Sequence, residues 1–151
     1  MIALRVNGRE VVQEIAPNEL LLDFLRDGLS LTAAKRSCDV QVCGACTVLV
    51  DGMPVSSCCY LAADAAGKDV TTLEGLSGRP EFERIEQTFI AHAAVQCGFC
   101  TAGLLLTVSA LLESGDLTSE EEIRRSLAGN LCRCTGYRGI VETVADLAGV
   151  G

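Results

Sequence analysis

The sequence predicts an α+β fold: a small mixed β-sheet with one helix against it, followed by four helices. Three observations predict it. Two hairpin signals, Asn7-Gly8 and Asp51-Gly52, separate short apolar runs in the first half. After Leu76-Ser77-Gly78-Arg79-Pro80 the hydrophobic pattern changes to a helical period. Nine cysteines divide into a group before that change and a group after it.

The elements follow in order. Ala3-Leu4-Arg5-Val6 alternates apolar and polar residues, and Glu10 to Ile15 returns beside it as a hairpin. Asn18 is placed to cap a helix over Glu19 to Asp27, with Leu20, Leu21, Phe24 and Leu25 on one side and Gly28 as its stop. Thr47-Val48-Leu49-Val50 and Met53-Pro54-Val55 form a second hairpin, and Asp69 to Leu73 a last strand. In the second half, Glu81 to Ala94 carries Phe82, Ile85, Phe89, Ile90 and Ala93 at helical spacing. Ala102 to Leu112 is apolar on most sides, as a buried helix is. Thr118 or Ser119 caps a third helix over Glu120 to Leu127, with its acidic first turn matched to the helix dipole and Gly129 at its end. Gly139 to Leu147 is the fourth. Four helices with short connections suggest a compact bundle.

Composition narrows the function. The 151 residues hold 12 Lys and Arg against 20 Asp and Glu, a formal charge of -8 at pH 7. Phosphate groups demand the opposite sign, so nucleic acid and anionic membrane surfaces are disfavoured. No apolar run reaches the roughly 20 residues of a membrane span. Met1 to Gly8 lacks the basic and long apolar segments of a signal peptide, so a cytoplasmic location is expected. In a reducing compartment nine structural half-cystines are out of place, which points to metal or redox use. His92 is the one histidine. That excludes a Rieske centre, which needs two imidazoles, and a zinc site of two cysteines and two histidines.

Cys38-x4-Cys43-x2-Cys46 has the spacing of a plant-type [2Fe-2S] loop, which is completed by a more distant cysteine. Gly44 and Ala45 are small enough for backbone N–H groups to approach the sulfurs and stabilise an anionic cluster. Cys58 and Cys59 both follow at a suitable distance, and spacing alone does not choose between them. On a strand their side chains point to opposite faces, one as ligand and the other as a buried apolar residue. The second set is Cys97-x2-Cys100 with Cys132-x-Cys134. Cys100 begins the apolar helix, where free N–H groups and the dipole favour a thiolate. Two residues apart on a regular helix, Cys132 and Cys134 would diverge by about 200°, so the chain between Gly129 and Gly136 must be irregular to bring both to one centre. Four-thiolate zinc is the rival for the first set, and a thioredoxin-like dithiol the rival for Cys97-Gly98-Phe99-Cys100. The dithiol leaves the downstream pair unexplained. His92, among alanines, reads as a structural histidine, and Glu120-Glu121-Glu122 as a solvated helix start.

Three segments in order, Cys38 to Val48, Gln96-Cys97-Gly98-Phe99-Cys100-Thr101 and Leu131-Cys132-Arg133-Cys134-Thr135-Gly136-Tyr137, resemble the iron–sulfur subunit of the xanthine oxidase, or molybdenum hydroxylase, family. That family includes the small subunits of carbon monoxide dehydrogenase, 4-hydroxybenzoyl-CoA reductase and N-heterocycle or aldehyde dehydrogenases. The resemblance covers nearly the whole chain. It implies a β-grasp ferredoxin-like domain over residues 1–76 and a four-helix bundle domain over 77–151, each with one [2Fe-2S] cluster. It selects Cys58 as fourth ligand with Cys38, Cys43 and Cys46, and assigns Cys97, Cys100, Cys132 and Cys134 to the second cluster. It implies that Gln96 and Cys134 approach the molybdopterin of a large partner subunit, and that a medium subunit carries FAD, the whole forming a dimer of heterotrimers. Where the family commonly has glycine, this chain has Ser37 before the first cysteine and Asp39-Val40-Gln41-Val42 within the loop.

The sequence contains no GxGxxG dinucleotide motif and no evident substrate site of its own. Its expected role is electron transfer, from molybdenum through the helical cluster and then the ferredoxin-like cluster to FAD or another acceptor. A free-standing two-cluster carrier is the alternative, and a zinc-stabilised interaction module a third reading.

Overall fold

The structure is a computed structural model that describes residues 1–150. Strand β1 (Ile2–Val6) buries Ile2, Leu4 and Val6 and pairs antiparallel with β2 (Arg9–Gln13). Asn7 and Gly8 between them both have positive φ, 51° and 78°. That backbone suits a two-residue hairpin, because its twist matches the strands it joins.

The first helix departs from the sequence expectation. α1 (Leu21–Asp23) begins after Leu20 and widens into a π-type turn over Phe24–Gly28. Asn18 is not its cap. Leu20 pairs with Leu61 in an isolated bridge, and the Leu21 N–H donates to the Tyr60 carbonyl at 2.7 Å. A long-range backbone contact thus satisfies the donor that a cap would have taken. Leu21, Leu22, Phe24 and Leu25 are fully buried against the sheet.

β3 (Thr47–Val50) and β4 (Met53–Ser56) form the second hairpin, again over two positive-φ residues, Asp51 and Gly52. The chain then makes two short 3₁₀ turns, Ser57–Cys59 and Ala62–Ala65. β5 (Asp69–Thr71) lies parallel to β1 and antiparallel to β3, giving the order β2-β1-β5-β3-β4. It stops short of the expected Leu73. The Thr72 N–H bonds Asn7 Oδ1 at 2.9 Å, and Asn7 Nδ2 donates to Thr72 Oγ1 at 3.0 Å. These bonds turn the chain into α2 (Leu73–Leu76).

Helices α3 (Pro80–Ala91), α4 (Thr101–Ser114), α5 (Glu120–Ser126) and α6 (Arg138–Ala148) follow. α3 ends before the expected Ala94 because Ala93 adopts a left-handed φ of 50°. Phe82, Ile85 and Phe89 face inward, but Ile90 is 67% exposed and leaves the predicted face. Ser119 is the cap of α5, accepting from the Glu122 N–H at 3.3 Å, while Glu122 reaches back to the Thr118 N–H at 2.9 Å. α5 ends at Ser126, before Gly129. Glu120 and Glu121 pair with Arg124 and Arg125, so the acidic run is a solvated helix start. No helix among the described residues is long and apolar enough to cross a membrane.

Two hydrophobic cores result. One lies under the sheet and gathers Leu4, Phe24, Val48, Val50 and Val70. The other gathers Phe82, Phe89, Leu104, Leu106, Ile123 and Ile140. Full burial of such a side chain contributes about 1.5–3 kcal/mol. β3 serves both cores: Val48 and Val50 face the first, and Leu49 faces the second.

Candidate metal centre

Three thiols of the first set, Cys38, Cys43 and Cys46, stand on the loop that leads into β3, and Cys58 follows β4. Asp39, Gln41 and Gly44 there have φ of 55°, 59° and 70°. This is left-handed backbone that glycine adopts without strain and other residues adopt at a cost of about 1 kcal/mol or more each. Arg36 holds the strained loop by pairing with both Asp39 and Asp23. The loop turns its N–H groups inward. Val42 and Cys43 each donate to Cys38 Sγ at 3.4 Å. The Val40 N–H above all, with those of Val42 and Cys43, brings the Cys38 thiol down to about 6. The donors to the Cys38 sulfur come from the loop itself, from Val40, Val42 and Cys43. Gly44 also serves a close approach: a Cβ there would overlap the Gly129 carbonyl and the Asn130 side chain.

Cys46 is buried beside Cys58, and burial pushes its thiol up to about 11. Cys58 is also buried, while Cys59 is exposed. Their sulfurs do not point to opposite faces. β4 has ended at Ser56, and the 3₁₀ turn sets Cys58 Sγ and Cys59 Sγ side by side, 3.7 Å apart.

The second set is drawn from two segments over 30 residues apart in the chain. Gly98, with φ of 82°, turns the chain between Cys97 and Cys100, and Cys100 is the residue preceding α4. Cys132 and Cys134 lie in the non-helical link between α5 and α6, as their spacing requires. Gly136 and Tyr137, with φ of 63° and 69°, close that link. The Tyr137 hydroxyl ties it down, accepting from the Cys132 N–H at 2.8 Å and donating to the Asn130 carbonyl at 3.1 Å.

The structure brings the Cys97 thiol to that of Cys134, and the Cys100 thiol to that of Cys132. Burial opposes the Cys132 thiolate, but the Thr135 hydroxyl, 3.2 Å from its sulfur, and backbone donors outweigh burial and lower it. Backbone donation at Phe99 lowers Cys97, and contact with the Cys97 thiol raises Cys134. Cys100 reverses an expectation. Burial, with the neighbouring Cys132 thiol, pushes it up to about 12 despite its place at a helix start.

Gln96, Arg133 and Cys134 are exposed. His92 Nε2 stands 3.2 Å from Asp146 Oδ2 and joins the end of α3 to α6, which occupies it structurally. Among the described residues, no three His, Cys, Asp or Glu groups close around a single ion. The thiols interact chiefly as Cys38 with Cys43, Cys46 with Cys58, Cys97 with Cys134, and Cys100 with Cys132, while Cys58 Sγ also meets Cys59 Sγ at 3.7 Å. All-thiol donors in pairs, with N–H and hydroxyl donors at their sulfurs, fit a [2Fe-2S] cluster in each set.

The two sets are joined through the backbone. The Leu131 N–H donates to the Cys43 carbonyl at 2.8 Å, linking a residue next to Cys132 with a member of the first set. Asn130 Nδ2 reaches the Gly44 carbonyl at 3.4 Å. α4 presses on the same place, where a Cβ on Gly103 would overlap the Gly44 carbonyl oxygen. Sequence reasoning missed Asn130, Leu131 and Gly103, because each acts through a contact with a residue far away in the chain.

The 2Fe-2S iron-sulfur cluster binding domain family matches residues 4–73, and the [2Fe-2S] binding domain family matches residues 72–145. The fold and its sites thus define an iron–sulfur electron-transfer protein with two [2Fe-2S] clusters. The nicotine 6-hydroxylase small subunit of Paenarthrobacter nicotinovorans is 45% identical over 98% of this chain and 89% of its own length. The xanthine dehydrogenase iron-sulfur-binding subunit of Escherichia coli O157:H7 is 47% identical over 96% of this chain and 92% of its own. Among solved structures, quinoline 2-oxidoreductase from Pseudomonas putida 86 has a chain that superposes with a TM-score of 0.91, at 41% identity, over 98% of this chain and 93% of that one. The chain belongs to the iron–sulfur small subunits of the xanthine dehydrogenase family of molybdenum hydroxylases. It is the electron-transfer subunit of an oxidoreductase complex whose catalysis lies on partner chains, and not a free-standing carrier.

Proposed function

We propose that Cys38, Cys43, Cys46 and Cys58 hold one [2Fe-2S] cluster and Cys97, Cys100, Cys132 and Cys134 the other. Electrons enter at the face of Gln96 and Cys134, against the molybdopterin of a large subunit. They leave from the sheet half toward FAD on a medium subunit. The complex is a dimer of heterotrimers in the cytoplasm. The sheet half spans 1–76, and the helices of 77–151 act as a four-helix bundle.

When bound, each cluster supplies a one-electron store. The chain's residues supply the rest. The N–H groups of Val42 and Cys43 and the Thr135 hydroxyl donate toward sulfur, favouring the thiolates that iron requires. Gly44 and Gly103 let the two halves approach closely enough to shorten the electron's path. The observation that carries the reading is the Leu131 N–H to Cys43 carbonyl bond, which makes a short backbone route from one thiol set to the other.

The test is elemental and spectroscopic. The intact chain should contain about four irons and four acid-labile sulfides, and on reduction should give two distinct paramagnetic signals. Zinc without iron after anaerobic preparation would overturn the assignment. In the assembled complex, hydrogen exchange around Gln96 and Cys132 to Tyr137 should slow when the large subunit binds. Unchanged exchange would place that partner elsewhere.

A further inference from the structure

Nine cysteines leave one beyond two sets of four, and its position is informative. Cys59 Sγ lies 3.7 Å from Cys58 Sγ and donates to the Asp39 carbonyl at 3.7 Å. A fifth thiol therefore stands at the edge of the sheet-half set, beside the loop that carries Cys38. The 3₁₀ turn puts it there, since a continuing strand would have sent it to the opposite face. The turn is anchored on both sides. Ser57 bonds the Cys46 carbonyl with its N–H at 3.4 Å and its hydroxyl at 2.6 Å, and the Tyr60 carbonyl accepts from Leu21. Cys58 and Cys59 thus share one short fixed turn and differ in depth: Cys58 is buried and Cys59 reaches solvent. Independently, the 2Fe-2S family match over residues 4–73 points to a cluster in this half.

From this geometry we infer that Cys59 is a reserve ligand of the sheet-half centre, taking the iron position of Cys58 whenever that bond is broken. The inference rests on the assignment of Cys38, Cys43, Cys46 and Cys58 to a cluster. The exchange balances. The bond between iron and Cys58 Sγ breaks, and that sulfur takes a proton from solvent. Cys59 releases its thiol proton to solvent, and its sulfur bonds the same iron. No electron moves, and the charge of the centre is unchanged because one thiolate replaces another. The effect is retention: iron freed from one thiol meets a second before it escapes.

Three variants of the full-length, cluster-loaded chain test this. Cys59→Ala, at an exposed position outside the resident set, keeps the iron content and the visible circular dichroism of the wild type. It loses sheet-half iron to a ferrous chelator several-fold faster. Cys58→Ala retains about four irons per chain, with a shifted sheet-half paramagnetic signal. The double variant Cys58→Ala/Cys59→Ala falls to about two irons, and its helical-half signal reports that the chain is folded. If Cys58→Ala loses the sheet-half cluster as fully as the double variant, the reserve role is wrong and the four-thiol assignment stands. The same holds if Cys59→Ala leaves the release rate unchanged. If the wild type lacks a sheet-half cluster, or Cys59→Ala alone abolishes it, the assignment fails and the inference fails with it.

Discussion

The two thiol sets are built on different plans. In the sheet half, three thiols sit on one loop between Cys38 and Cys46, and the turn carrying Cys58 is bonded to the backbone of Cys46. The loop holds its shape through left-handed Asp39 and Gln41 and through the ties of Arg36. In the helical half, the thiols come from the start of α4 and from the link between α5 and α6. The sheet half closes its site with backbone it already has, so metal adds little constraint. The helical half brings together two segments that meet there through their thiols, while Tyr137 ties only the α5–α6 link to itself, so a metal bound there would act as a cross-link. Metal-binding energy is folding energy in the second case far more than in the first.

That contrast is breakable in order of expected effect. Cys134→Ala should cost the helical half about 4 kcal/mol or more and half of the chain's iron, the scale of a lost structural metal. Iron analysis, with hydrogen exchange in each half under rising denaturant, checks it. An equal loss of stability in the sheet half would erase the distinction. Gly103→Ala comes next, since its Cβ would overlap the Gly44 carbonyl oxygen, an atom of the backbone that cannot swing aside. Overpacking of this kind costs about 1–3 kcal/mol. Denaturant unfolding measures that cost, and electron exchange between the two clusters should slow in the same variant.

Gln41→Gly should do the opposite. It relieves a left-handed residue at φ 59° and should stabilise the sheet half by roughly 0.5–1 kcal/mol. A loss of stability would show that the Gln41 side chain, not its backbone, matters. The smallest effect belongs to His92→Ala. The pair with Asp146 is partly exposed, so its removal should cost under about 1 kcal/mol in denaturant unfolding.

Local signals were legible. Asn7-Gly8 and Asp51-Gly52 marked both hairpins, and the change of period near Leu76 marked the passage from sheet to helices. The candidate thiols were readable from spacing together with the family resemblance. What escaped depends on distant partners. Leu20 left the helix because Leu61 pairs with it, and β5 stopped at Thr71 because Asn7, 65 positions from Thr72, binds the next residue. The geometry of Cys58 and Cys59 escaped for a local reason: strand alternation was extended past Ser56 into residues that form a tight turn. Cys100 escaped because burial, which depends on the packed fold, outweighed the helix-start effect that sequence position suggests.

β3 has a bearing on how such a protein is inherited. Val48 and Val50 face one core and Leu49 faces the other, so the strand has no solvent side. Inserting or deleting one residue within it would exchange those faces and misalign both halves at once. A sheet half cut free of its helices would present Leu49, and the face that α4 covers, to water. Such a bare strip of sheet invites self-association. Modular shuffling of the two halves therefore requires resurfacing that strip, so the pair should pass between genomes as a single unit.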